Sequence, residues 1–119
     1  MDKITKHCRE LKEALLADPK RNGSGWRCEG QTFIHHICFG GPEMNEVIIP
    51  RAVFQKIPRA KQIVFYHEIN CAICCQTFHT KHGHTRAYRE WHEARMIEIY
   101  GEAAVDAWKA SLPLKFKFR

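Results

Sequence analysis

The sequence predicts a single small α+β domain, and three observations lead to that fold class. The chain has 119 residues, which is enough for one hydrophobic core and too few for two. Apolar residues recur at helical spacing near both ends, whereas β-branched and aromatic residues concentrate between residues 26 and 74. Hydrophobic residues make up 45% of the chain and charged residues 27%, a balance that is typical of folded proteins and argues against disorder.

Residues 1–25 are expected to form one helix and a loop. Four apolar residues share a helix face at spacings of four, three and four: Ile4, Cys8, Leu11 and Leu15. This pattern predicts a helix over residues 3–17. The stretch ADPKRNGSGW then contains one proline and two glycines, which indicates a loop that ends at Trp26.

The middle of the chain favours short strands. The runs TFIHHICF and NEVIIPRAVF are rich in β-branched and aromatic residues and are separated by the turn sequence GGPEM. QIVFYHEINCAIC supplies a further strand candidate. We expect short strands to dominate this section, with Asn70 on the last strand and a helix that begins near Cys75.

Helical spacing returns after Cys75. Five residues fall on one side of the first helix: Ala87, Trp91, Ala94, Ile97 and Tyr100. Gly101 is a natural C-terminal stop, and a second short helix is ended by Pro113. Three apolar residues line that second helix: Val105, Trp108 and Leu112. The basic tail, residues 113–119, alternates apolar and basic residues and is expected to be an edge strand or a basic strap.

Hydropathy and net charge indicate the cellular compartment and the kind of binding partner that this chain is expected to have. No apolar run approaches the roughly 20 residues of a membrane span, and the start MDKITKHCRELKEALL lacks the apolar centre of a signal peptide. We therefore expect a cytoplasmic protein that does not bind a membrane. The net charge of +6 and the isoelectric point near 9.1 favour an anionic partner, with nucleic acid first. Solubility alone is the alternative explanation of this charge.

Residues 69–84, INCAICCQTFHTKHGH, hold three of the six cysteines and three of the eight histidines. Thiolate and imidazole are the usual ligands of zinc and related ions, and a strand that turns into a helix can make them converge. His79 would project from the first turns of that helix, and His82 would lie one turn further on. His84 follows Gly83, where the helix is expected to loosen.

A structural zinc site is one interpretation of these residues. Cys71 and Cys74 have the spacing of half such a site. Two further ligands would come from this group: Cys28, Cys38 and His79. His35 and His36 would point to opposite faces of a strand, so at most one of them could easily join.

Two stretches, EMNEVIIPRAVFQKIP and INCAICCQTFH, together resemble the HNH nucleases of phage and bacteria, and in particular a small branch with a His-Glu first motif. Asn70 precedes His79 by nine residues, the interval that this branch shows between its middle asparagine and a helix histidine. The resemblance covers roughly residues 26–112. It implies a ββα-metal motif, flanked here by an N-terminal helix and C-terminal helices, that hydrolyses phosphodiester bonds in DNA.

The resemblance also implies roles for individual residues. The catalytic residues would be Asn45, Glu46 and Asn70, the last of which pins the loop that bears the first motif. One divalent ion, Mg²⁺, Mn²⁺, Ni²⁺ or Zn²⁺, would be held by His79 and by His84 or His82. Cys75 would lie beside the metal or serve a structural zinc, and the cysteine pattern itself offers Cys28 as its partner in such a zinc site.

Asn45 departs from the family pattern, because relatives carry a histidine in front of the position of Glu46. That histidine is either the general base or a metal ligand, and we favour the base. An amide has no useful basicity, so hydrolysis would be weakened by ~10²-fold or more. If the position is a ligand, the amide oxygen could still hold a hard ion such as Mg²⁺.

Basic residues fit contacts with the phosphate backbone, which position DNA without reading its sequence. Arg51, Lys81 and Arg86 are the first candidates. The remaining ones are Lys56, Arg59, Lys61, Arg89, Lys115, Lys117 and Arg119. An alternative base would come from His35, His36 or His67. The competing functions are a binding module that does not cleave and a zinc-stabilised module for protein interaction.

Overall fold

The computed structural model describes residues 2–23, 25–32 and 38–113 of the chain. Helices and one antiparallel pair of strands make this part an α+β domain, as the sequence predicts. The elements in chain order are α1 (Lys3–Ala17), β1 (Glu43–Glu46), α2 (Arg51–Phe54), β2 (Cys71–Cys74), α3 (Gln76–His82), α4 (Arg86–Tyr100) and α5 (Glu102–Ala110). Two 3-10 helices, Glu29–Thr32 and Arg59–Phe65, lie in the connections.

Helix α1 has the bounds that its apolar spacing predicts. Its N-terminus is capped by the carboxylate of Asp2, which accepts a hydrogen bond of 2.7 Å from the backbone N–H of Thr5. Ile4 and Leu15 are buried. Cys8 is half-buried against the apolar cluster that contains Ile4.

Strands β1 and β2 place different side chains on the two faces of the sheet. Glu43 lies opposite Cys74 and Asn45 opposite Ala72, and directly opposed residues share a face. Ala72 and Cys74 pack with Phe78 of α3, whereas Cys71 and Ile73 on the other face pack with Leu15 of α1. The sheet is therefore a thin middle layer between α3 and α1.

The expectation that short strands dominate residues 26–74 is wrong for the described residues. NEVIIPRAVF contains the end of β1, then an irregular stretch, then α2, and QIVFYHEINCAIC is strand only over its last four residues. Pro50 and Pro58 precede helical segments, and a proline has no N–H to donate to a strand ladder. TFIHHICF lies mostly outside the described residues, as do His35 and His36.

Helix α4 turns a different face to the core from the one predicted. Tyr88, His92 and Met96 are its buried residues, while Ala87 and Ile97 are exposed. His92 is accommodated because its Nε2 lies 2.9 Å from the backbone oxygen of Ile69. A pattern that counts apolar residues alone does not predict this face, because two of its three buried residues, Tyr88 and His92, carry polar groups.

Gly101 separates α4 from α5, as the sequence predicts. Its φ of 93° is in the left-handed region that favours glycine. Val105 and Trp108 of α5 are buried, and Leu112 packs against the same core. The indole N–H of Trp108 donates to the backbone oxygen of Val64 at 3.0 Å.

A buried ion pair fixes the loop after α1 to the sheet. The guanidinium of Arg21 donates to both carboxylate oxygens of Glu29, at 2.7 and 2.9 Å, and also to the backbone oxygen of Cys71. Glu29 in turn accepts from the N–H of Ile73 at 3.0 Å. Both charges are paired and hydrogen-bonded, which is the condition for burying them. The loop therefore delivers Cys28 to the α3 face of the sheet.

Candidate functional site

A pocket of about 220 Å³ lies where β1 meets α3 and the turn that follows it. Five residues line this pocket, which we call the histidine pocket: Asn45, Glu46, Arg51, His79 and His84. They come from three separate segments of the chain. The antiparallel register of β1 and β2 and the packing of α3 on the sheet bring these segments together.

Strand alternation places two side chains of β1 beside α3 and the turn that follows it. Glu43 and Asn45 are two positions apart, so both side chains face α3. Glu43 Oε1 lies 3.0 Å from Nδ1 of His79, and the amide of Asn45 donates to the backbone oxygen of Gly83 at 2.8 Å. One strand edge thus contacts both the middle and the end of the helix that carries the histidine.

The contact with Glu43 sets the chemistry of His79. When Nδ1–H of a neutral imidazole donates a hydrogen bond to a carboxylate, Nε2 is the nitrogen with an available lone pair. This carboxylate–histidine pairing is the usual arrangement behind a metal-bound imidazole, since it fixes both the tautomer and the ring orientation. The side chain of His79 is 30% exposed, so a ligand can reach it.

His84 lies close enough to His79 for both rings to bind one ion. Their ring centroids are 5.4 Å apart. Two imidazoles that share an ion at about 2.1 Å with a roughly tetrahedral angle have centroids about 5 Å apart. Partial burial and the neighbouring His79 lower the pKa of His84, while Glu46 acts in the opposite direction. A lower pKa favours the neutral ring, which is the form that binds metals.

Asn45 is fully buried and has one side-chain atom without a partner. Its Nδ2 is used on Gly83, but Oδ1 makes no hydrogen bond among the described residues. An unpaired buried carbonyl oxygen is costly. It is also a ready oxygen ligand for a cation, and Asn45 lines the histidine pocket.

Gly83 lets the turn after α3 pass close to Asn45 and His79. A Cβ at this position would lie 2.6 Å from the backbone oxygen of His79 and 2.9 Å from Nδ2 of Asn45. The nearer of the two atoms is backbone, which cannot rotate away, so no larger residue fits here without displacement. His84, which lines the histidine pocket, is the next residue along the chain.

Glu46 and Arg51 form the wall of the histidine pocket that carries charge. Arg51 Nε donates to Glu46 Oε1 at 2.9 Å, with the side chains 62% and 4% exposed respectively. The carboxylate of Glu46 is the main cause that raises the pKa of Arg51. The guanidinium is therefore held in place, charged, and open to solvent.

Asn70 fastens the loop between the two strands. Its Oδ1 accepts from the N–H of Ile49 at 2.8 Å, and its Nδ2 donates to the oxygens of Ile49 and Phe65 at 3.0 and 2.9 Å. The residue is fully buried directly before β2. These bonds close the chain from 49 to 65 and hold Arg51 beside β1.

Several predicted site residues lie elsewhere. The ring of His82 lies tilted against Phe78, with ring centroids 5.4 Å apart, and is not among the residues that line the histidine pocket. Arg86 pairs with Glu90, and Lys81 is exposed on α3. His67 stacks on Trp108 instead. The basic residues of the tail, Lys115, Lys117 and Arg119, lie outside the described residues.

A second cluster consists of thiols. The sulfurs of Cys28, Cys38 and Cys75 lie within 4.8 Å of one another, so this buried group could hold a metal ion. The predicted pairing of Cys71 with Cys74 is wrong for the described fold. Residues three apart on a strand point to opposite faces, and these two sit in different apolar clusters.

The thiol cluster is built at the start of α3. Cys75 is the N-cap, and its sulfur accepts from the N–H of Phe78 at 3.4 Å. The sulfur of Cys38 accepts from the N–H of Cys28 at 3.3 Å. Burial raises the pKa of Cys28 to about 12, so metal binding there must be coupled to loss of a proton. The sequence predicted Cys28 and Cys75 as structural-zinc residues and offered Cys38 as a ligand beside Cys71 and Cys74; the structure instead groups Cys38 with Cys28 and Cys75.

Comparisons with known proteins add no information about the function of this chain. We found no matching family model, no matching curated protein and no matching solved structure for this chain. None of the described helices has the length and apolar character that a bilayer crossing requires.

Proposed function

We propose that the chain is a metal-dependent DNA endonuclease of HNH type. The observation that supports this proposal best is the histidine pocket, where His79 and His84 meet the oxygen-bearing residues at the end of β1 and the guanidinium of Arg51. The order strand, strand, helix around that pocket is the one that the family resemblance implies. The net charge of +6 agrees with an anionic polymer as substrate.

The residues present fit a divalent ion of the transition series. His79 and His84 would supply imidazole nitrogens, and the oxygen ligand would come from Asn45 Oδ1 or from the carboxylate of Glu46. A mixed nitrogen and oxygen set suits Mn²⁺, Ni²⁺ or Zn²⁺ better than Mg²⁺, which prefers oxygen alone. When bound, the ion supplies Lewis-acid polarisation of the phosphate and of water.

The protein's own side chains would carry the remaining work. Arg51 offers a fixed positive charge to a phosphate oxygen, and Glu43 holds His79 in the orientation that a ligand needs. Asn45 cannot accept a proton from water, because an amide is not a base. We therefore expect slow hydrolysis, lower by ~10²-fold or more than that of a site with a histidine base.

Plasmid cleavage in Mg²⁺, Mn²⁺, Ni²⁺ and Zn²⁺ tests this function. His79→Ala should reduce nicking by more than about 100-fold. His82→Ala is the matched control on the same helix and should stay within about threefold of the parent protein. Equal effects of the two substitutions, or cleavage that persists in EDTA, would contradict the proposal.

A binding module that does not cleave is the second candidate, and the amide at position 45 is the observation that favours it. Asn45→His distinguishes the two. A large gain in nicking would identify position 45 as the vacant base position of a nuclease. DNA binding without cleavage in either protein, weakening steeply with salt, would favour the binding module.

The thiol cluster would hold a structural zinc ion. Cys28, Cys38 and Cys75 supply three of the four ligands that a tetrahedral site takes, and they join the chain before β1 to the N-cap of α3. Zinc content of the purified protein, measured with and without Cys75→Ser, tests this assignment. Retention of stoichiometric zinc in that variant would refute it.

A further inference from the structure

A second groove opens beside the histidine pocket and shares one wall with it. Its volume is about 480 Å³, within the range of roughly 300–1,000 Å³ of small-molecule sites. Arg51 lines both spaces. The other lining residues come from α1, from the residue after α2 and from the 3-10 helix Arg59–Phe65 with its C-cap: Ile4, Thr5, Cys8, Gln55, Arg59, Gln62 and Tyr66.

The lining of this groove combines two cations with apolar and amide surface. Arg51 and Arg59 are its charged residues, and no carboxylate is among the residues that line it. Ile4, Cys8 and Tyr66 offer apolar surface. Burial raises the pKa of both Cys8 and Tyr66, so their side chains stay neutral near pH 7.

Both arginines keep binding capacity for an anion. Within the described residues Arg51 uses its Nε on Glu46, and no hydrogen bond involves its two terminal nitrogens. Arg59 pairs with Asp2 through Nε and Nη2, but this pair is about half exposed on each side. Exposed pairs of this kind contribute little, so a phosphate can compete for Arg59.

We propose that this groove binds one unpaired nucleotide next to the phosphate held at the histidine pocket. The inference rests on the proposed function and adds the substrate class, which is single-stranded or locally unpaired DNA. Arg51 spans the two spaces, so consecutive phosphates of one strand can lie on Arg51 and Arg59 while the base lies against the apolar wall. A stacked and paired base could not enter a space of this size without leaving its duplex.

Binding measured in EDTA tests the groove separately from cleavage. The probes are a fluorescent oligothymidylate of about ten nucleotides and a blunt duplex of the same length, followed by anisotropy at several salt concentrations. We expect the single strand to bind more tightly than the duplex. Arg59→Ala should weaken single-strand binding about tenfold and reduce the slope of log K against log salt by about 0.7. Arg9→Ala, which removes an exposed arginine of α1 outside the groove, is the charge-matched control.

A second variant predicts a change in the opposite direction. Asp2→Asn keeps a good N-cap for α1 and releases Arg59, so it should tighten single-strand binding by about two- to fivefold. Glu13→Gln is the control for loss of one negative charge on the same helix. A merely structural role of Asp2 would give no tightening.

The outcomes separate this inference from the nuclease proposal. Equal affinity for single strand and duplex, or equal effects of Arg59→Ala and Arg9→Ala, would overturn the groove assignment even if the protein cleaves plasmid. Single-strand binding with the expected variant effects would support the groove even if no metal gives cleavage.

Discussion

Replacing Asn70 by alanine should destabilise the protein severely, because one side chain satisfies three buried backbone groups. Asn70→Ala leaves the N–H and the oxygen of Ile49 and the oxygen of Phe65 without the partners that they now have at 2.8, 3.0 and 2.9 Å. Each orphaned buried group costs about 1–3 kcal/mol. Since such losses are not additive and the loop can relax, we expect a total of about 3–5 kcal/mol.

Urea unfolding followed by tryptophan fluorescence measures this loss. The midpoint should fall in proportion while the slope m stays unchanged, as for a pure change of stability. Asn22→Ala is the matched control. Asn22 also uses both side-chain atoms, on the backbone of Arg27, but it closes a short loop and should cost about 1–2 kcal/mol. A loss below about 1 kcal/mol for Asn70→Ala would refute the argument that this residue holds the loop.

Three further predictions address the buried histidine, the tight turn and the thiol cluster. Burial lowers the pKa of His92 to about 3. Between that pH and about 6.5, the unfolded chain binds a proton at His92 that the native protein does not bind. The native state is therefore most favoured above pH 6.5 and loses about 2–3 kcal/mol between pH 7 and 4.5. His92→Gln should flatten that part of the pH profile of unfolding, and an unchanged profile would contradict the assignment. Gly83→Ala should lower plasmid cleavage about tenfold or more and reduce the melting temperature, whereas Gly41→Ala, at a glycine with open space around it, should change neither. Chelation with a strong zinc chelator should lower the melting temperature of the parent protein but not that of Cys75→Ser, with Cys8→Ser responding as the parent does. Equal changes of melting temperature in all three proteins would refute the assignment of a structural zinc to the thiol cluster.

Local signals in the sequence were sufficient to predict the helices that begin and end on clear residues. Helix α1 follows a regular apolar spacing, and the α4–α5 boundary falls at a glycine with positive φ. The face of α4 could not be predicted, because Tyr88 and His92 are buried through packing and a hydrogen bond that only the folded chain supplies. The strands in the middle were over-predicted for a related reason. Ile49 satisfies its backbone through the side chain of Asn70 rather than through a neighbouring strand.

The residues of the histidine pocket and of the thiol cluster could be predicted only in part from the sequence. The family resemblance, through the interval from Asn70 to His79, pointed to both residues, and His79 lines the histidine pocket. The choice of His84 as the second pocket histidine depends on the close approach of Gly83 to Asn45, which is a contact across 38 positions. Cys38 was a candidate zinc ligand beside Cys71 and Cys74, but its grouping with Cys75 could not be predicted from spacing, because it depends on contacts between distant parts of the chain.

The geometry of the histidine pocket requires that a sheet of only two four-residue strands position α3 accurately. A pair of strands this short is marginal alone, but here α1 and α3 cover its two faces, and α3 is held near both ends. At its start, Cys75 belongs to the thiol cluster; near its end, Glu43 and Asn45 contact His79 and Gly83. A metal ion in the thiol cluster would therefore stiffen the same helix that presents His79. Loss of that ion should weaken the histidine pocket without touching any residue that lines it, and cleavage should fall with zinc content even when the pocket metal is supplied in excess.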